Sequence, residues 1–200
     1  MIAHSRILVT LLLSAFVLVS CQSAQKFIET GDYDGAIEYC VHKLRGKTKK
    51  KTEYVQGLEA AFAKAQVRDL AAVDRLVAEG RPENWERINN IHRNMADRQR
   101  KISPLTPLVS KDGYRAQFNF LDVATLESDS RAKAAEYLYN HAKELLARAE
   151  NGDRLAARDA YRELGELQNK YYRNYQDAER LRSSARDLGT SYVLFEVKNG

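Results

Sequence analysis

The stretch "GDYDGAIEYC", residues 31–40, decides the fold. Gly31 and Asp32 read as a turn that opens a helix. Behind them Ala36, Ile37, Cys40, Val41 and Leu44 recur at i, i+1, i+4, i+5 and i+8, the spacing of one apolar helix face. A strand would need strict alternation, which is missing here. The reading is turn, then amphipathic helix.

The same pattern spreads along the chain. Tyr54, Leu58, Ala61, Phe62 and Ala65 form a second stripe, and Leu70, Val73, Leu76 and Val77 a third, closed by Gly80 as a C-cap. Pro82 suits the first turn of the next helix, which carries Trp85, Ile88, Ile91, Met95 and Ile102. The run "SPLTPL" (103–108) ends it, because its prolines cannot continue a helix. Residues 109–127 are the least helical part. "KDG" marks a turn and "YRAQFNF" alternates apolar with polar, so a short hairpin and an ordered loop both fit.

Helices resume with Ala135, Leu138, Tyr139, Ala142, Leu145 and Leu146 and break at "ENGD" (150–153). Another stripe holds Leu155, Ala157, Ala160, Tyr161, Leu164 and Leu167, and a last one Ala178, Leu181, Ala185 and Leu188, stopped by Gly189. No amphipathic helix can bury its apolar face alone, so these must stack. The expectation is an all-α domain of antiparallel helical hairpins over residues 21–189. Residues 190–200 turn strand-like, with Tyr192, Val193, Leu194, Phe195 and Val197 as β-formers. A lone strand needs a partner. Tyr114–Phe120 is the internal candidate; the favoured alternative is the start of a β-domain absent from this chain.

Two more stretches share the opening pattern: "GDRLAARDAY" (152–161) and, more weakly, "NYQDAERL" (174–181). Gly31, Asp32, Tyr33 and Ala36, then Gly152, Asp153, Ala157 and Tyr161, then Tyr175 and Ala178 resemble tetratricopeptide repeats. There a small alanine lets two helices touch and a nearby aromatic fills the next gap. The intervals between the alanines are not whole multiples of the roughly 34-residue repeat. The resemblance therefore implies an irregular array.

The N-terminus carries a different signal. Arg6 precedes an apolar run, Ile7–Val19, that is shorter than the about 20 residues of a spanning helix. It reads as the hydrophobic region of a secretory signal. Leu18, Val19, Ser20 and Cys21 resemble the lipobox of bacterial lipoproteins, favoured over an ordinary cleaved signal followed by a chance cysteine. The resemblance implies that residues 1–20 are removed and that Cys21 becomes the diacylated, palmitate-bearing N-terminus. Gln22 in place of aspartate implies sorting to the outer membrane, and the lack of an acidic run after Cys21 favours the periplasmic face. The chain has two cysteines, so acylation of Cys21 leaves Cys40 without a disulfide partner.

The rest of the chain carries few chemical signals. The net charge is +5 with both signs interspersed, weak grounds for an anionic partner and none for nucleic acid. "RGKT" (45–48) resembles the end of a phosphate-binding loop, but Val41 stands where the first glycine is required and a helix precedes it. His4, His42, His92 and His141 lack metal-ligand spacing, and His42 and His141 read as surface or boundary residues. Cys40 sits on an apolar stripe and reads as core. No metal, cofactor or enzymatic constellation is expected. "KTKKK" (47–51), near the anchored end, is either a headgroup contact or, preferably, a solvated loop. "KYYRNY" (170–175) sets Tyr171, Tyr172 and Tyr175 beside Arg173, either a candidate partner-binding surface or, preferably, tyrosines that wedge a helix–helix junction.

The chain is similar to helical-repeat lipoproteins of the Bacteroidota. That resemblance implies a membrane-anchored scaffold or assembly factor that binds another envelope protein. The alternative is glycan capture for nutrient import, as in the starch-binding lipoproteins. Those chains are more than twice as long, and only one tryptophan is present here for stacking on sugars.

Overall fold

A computed structural model describes residues 24–190. Among them every regular element is helical: α1 (Ala24–Glu29), α2 (Tyr33–Leu44), α3 (Thr52–Ala78), α4 (Asn84–Ile102), α5 (Val123–Glu150), α6 (Arg154–Glu166) and α7 (Ala178–Gly189). A 3-10 turn, Ser103–Leu105, closes α4, and a π turn, Leu167–Tyr171, extends α6. Cys21 and the strand-like segment 191–200 lie outside the described residues.

The two Gly-Asp pairs work alike. Gly31 (φ +78°) and Gly152 (φ +97°) hold the left-handed conformation that ends a helix and that a side chain would strain. Asp32 and Asp153 then cap α2 and α6, accepting from Gly35 N at 2.9 Å and Ala156 N at 3.0 Å. Asp122 does the same for α5 through Thr125 N. Each such cap is worth about 0.5–2 kcal/mol over alanine. Helix α5 consequently starts inside the segment expected to be irregular.

The chain divides into two compact units that are interleaved in sequence. One runs up to Asp69 and takes in Asp97–Phe120; the other holds Leu70–Ala96 and the chain from Leu121. Both boundaries on the N-terminal side fall within helices, α3 and α4.

In the first unit, Ile37, Cys40, Val41 and Leu44 of α2 pack with Val55, Leu58, Phe62 and Ala65 of α3 and with Ile102 and Leu108. Mid-helix glycine costs about 1 kcal/mol against alanine, yet Gly57 sits inside α3. A Cβ there would come within 2.7 Å of the Ala24 Cβ, so the close approach of α1 requires glycine. The 109–120 segment makes one antiparallel bridge, Val109 to Arg115, then continues without regular structure. Phe118 and Phe120 meet the Phe62 ring edge-on at 5.6 and 5.7 Å. Glu59 pins the segment, accepting from the Tyr114 hydroxyl and from Gln117 N. Hairpin and ordered loop each describe part of it.

The polar network of this unit was invisible in the sequence. Arg98 is buried on α4 and donates to Asp69 and, at 2.6 Å, to Asp34. Arg68 closes the ring, donating to Asp69 at 2.9 Å and Asp34 at 3.1 Å. Partial burial pushes the Asp34 carboxyl up, but hydrogen bonds and charge from Arg98 and Arg68 outweigh it and hold the group below its usual value.

In the second unit, Leu138, Ala142, Leu145 and Leu146 of α5 meet Ala156, Ala160 and Leu164 of α6, then Leu167, Ala178 and Ala185. Ala157 is fully buried too. Tyr161 corrects an expectation. It does not fill a gap between helices but lies 38% exposed under the Arg182 guanidinium, 4.5 Å from the ring. Leu155 and Val77, read as stripe members, are also exposed; their neighbours Ala156 and Leu76 are buried, so the buried face runs one position to the side.

Candidate functional site

Helix α6 does not stop at Glu166; it widens by one residue per turn into the π segment, with Tyr172 N donating to Leu167 O at 3.0 Å. Such widening is rare and often marks functional positions. The chain then turns through Gln176, whose φ of +44° is the one positive value at a non-glycine among the described residues. Together these bends surround a groove of about 1010 Å³ lined by Gln168, Lys170, Tyr171, Arg173, Tyr175 and Arg182, among others.

Three of the four residues singled out in "KYYRNY" therefore line one groove, and the fourth supports it. Tyr172 stacks on Tyr175 at 5.9 Å, and Tyr175 meets Tyr139 at 5.5 Å. Arg131 lies 5.4 Å over the Tyr172 ring. The Tyr139 hydroxyl donates to Asp177 at 2.6 Å. That bond, followed by the Arg180 bond, holds the Asp177 carboxyl below its usual range. Tyr171 is half-buried, and its hydroxyl donates weakly to Glu86 at 3.4 Å. The Tyr171, Tyr172 and Tyr175 rings are held by these contacts and remain only part-buried. Arg173 is exposed and makes no ion pair among the described residues. Amides, cations and tyrosine faces suit hydrogen bonding and stacking; the groove holds no nucleophile beside a base.

The other candidates scatter. Cys40 is fully buried, and burial pushes its thiol up to about 12, which makes it inert as a nucleophile. The lysines of 47–51 occupy the α2–α3 connection, where Lys51 lies 5.7 Å over the Tyr54 ring. Among the described residues no cluster of histidine, cysteine and carboxylates could hold a metal. No described helix is long and apolar enough to cross a membrane.

One serine–histidine pair escaped the sequence reading. His92 Nδ1 lies 3.0 Å from Ser130 Oγ, which also accepts from Asn89 at 3.1 Å. Ser130 Oγ also lies 2.9 Å from the Leu126 carbonyl and 3.1 Å from that of Glu127, the helix carbonyls to which its hydroxyl can donate. All three side chains are buried and form a polar seam between α4 and α5.

Burial lowers the His92 pKa below 6.5, against the opposing pull of the Leu126 carbonyl, Glu127 and Asp129. A histidine that stays neutral in the folded state gives stability that is present above its unfolded pKa and lost as pH falls through it. Between about pH 7 and about pH 5 the wild type should lose stability in urea titrations, and His92→Gln should lose less over the same interval. Parallel pH profiles for the two proteins would refute the assignment.

No family, no curated protein and no solved structure matches this chain.

Proposed function

We propose that the chain is a lipid-anchored envelope protein acting as a protein-binding scaffold or assembly factor. In this reading Cys21 carries the acyl chains at the periplasmic face of the outer membrane. The helices stack as an irregular tetratricopeptide-like array, a view supported by the shared Gly-Asp caps and by the buried Ala36 and Ala157 behind them.

The observation that carries the recognition role is the groove at the π turn, where exposed Arg173 stands among tyrosines held by their ring contacts. Arginine and tyrosine dominate binding hot spots. Rings already immobilised by packing lose little entropy when a partner covers them.

Crosslinking in the native envelope tests this. The wild type should capture a defined partner, and Arg173→Glu should reduce that capture by roughly tenfold or more, as for loss of a hot-spot arginine. Its unfolding curve should not move, since the side chain is exposed. Equal capture by both proteins removes the groove from recognition.

A further inference from the structure

A second pocket of the same unit, about 500 Å³, opens where the first turn of α4 meets α5. Trp85 comes from α4, and Lys133, Tyr137 and His141 follow at i, i+4 and i+8 on one face of α5. The Tyr137 and His141 rings stack at 5.6 Å, and Glu163 fixes His141 through Nδ1 at 2.8 Å. Glu136 and Glu144 line it too, with Pro82 and Asn140; both glutamates are exposed and neither forms an ion pair among the described residues.

One cation already sits there. The Lys133 ammonium lies 4.0 Å from the centre of the Trp85 ring, held by the negative face of the indole. The side chain is exposed and flexible, so it can leave. Negative potential around the site has a further sign. Burial raises the Tyr137 hydroxyl pKa, and Glu163, Glu83, Glu86 and Glu144 raise it further. An anion would be repelled here, and a neutral sugar would draw no benefit from unpaired carboxylate charge.

We infer that this pocket receives a lysine or arginine side chain from a basic segment of the partner protein, the cation displacing Lys133 from the face of Trp85 in a pocket that Glu136 and Glu144 also line. The inference rests on the scaffold reading for the ligand being a protein, while the cation chemistry belongs to the pocket itself.

Trp85 is the single tryptophan of the chain, so its fluorescence reports on the pocket alone. The full chain is titrated with a short alternating lysine–glycine peptide. A saturable, salt-sensitive fluorescence change is expected. Lys133→Gln should bind the peptide several-fold tighter, because the competing ammonium is gone. Glu136→Gln combined with Glu144→Gln should bind it about tenfold more weakly. These are surface changes, so folding is not at stake.

An equal response to a glutamate–glycine peptide overturns the inference. So does a response to a malto-oligosaccharide with none to the lysine peptide, which would assign the pocket to glycan. Unchanged crosslinking in the Glu136→Gln, Glu144→Gln variant overturns it as well, and leaves the scaffold reading standing. Peptide binding without any crosslinked partner sinks the scaffold reading and leaves the cation site intact.

Discussion

Arg98→Met is expected to destabilise the protein by about 3–5 kcal/mol, the cost of stranding a buried charge by removing its partner. The side chain of Asp69 is only 8% exposed. Without Arg98 it keeps Arg68, whose own side chain is 42% exposed and so partly screened by water. Methionine fills much of the arginine's volume, so the loss reports charge and not a cavity. Pairing the change with Asp69→Leu should recover most of the stability, since an apolar pair often replaces a buried ion pair without penalty. Urea unfolding of the two variants decides it. A loss below about 1 kcal/mol in the single variant would mean the ring behaves as a solvated surface pair.

Acid should act on the same ring. The Asp34 carboxyl is held below its usual 3.8, so its contribution is present above that value and lost as pH falls through it. In the Arg98→Met background that part of the acid sensitivity should shrink.

Cys21→Ser is expected to have the larger effect in the cell, shifting the protein from the membrane pellet to the soluble fraction almost completely. Each buried methylene adds about 0.8 kcal/mol to membrane binding, and a second acyl chain turns marginal binding into lasting anchorage. In the proposed lipoprotein, serine could not take the thioether that carries the chains, and no described helix offers a spanning substitute. Retention of the variant in carbonate-washed membranes would make Ile7–Val19 an uncleaved anchor and remove the lipobox reading.

The helices were legible because their apolar stripes are regular. Ala36, Ile37, Cys40, Val41 and Leu44 are all buried as their spacing requires. The buried face of α4 was harder to read: Asn89, His92 and Arg98 stand on it beside Ile88, Met95 and Ile102. Polar residues at stripe positions look like surface until their partners are known, and those partners lie 29 to 64 residues away. Tyr161 failed for the opposite reason. An aromatic at a repeat-like position looks buried, yet this one is covered only by the Arg182 guanidinium and stays 38% exposed. "KYYRNY" announced the groove, since its residues are consecutive. The Trp85 pocket had no such signal, because α4 and α5 supply it from distant parts of the chain.

The interleaving of the two units has a consequence for how the chain is made. Domains tend to fold in order as they emerge, N-terminal part first. Here the first unit cannot finish in that order, because Asp34 and Asp69 appear well before Arg98, and Phe62 before Phe118. Until Asp97–Phe120 arrives, Asp69 has only the half-exposed Arg68 as counter-charge and an aromatic core lacks its cover. The N-terminal unit is therefore a late assembler, and any product cut before Asp97 is left with an uncovered core. Such a fragment is quality-control prey, so proteases should clear it while the full chain survives.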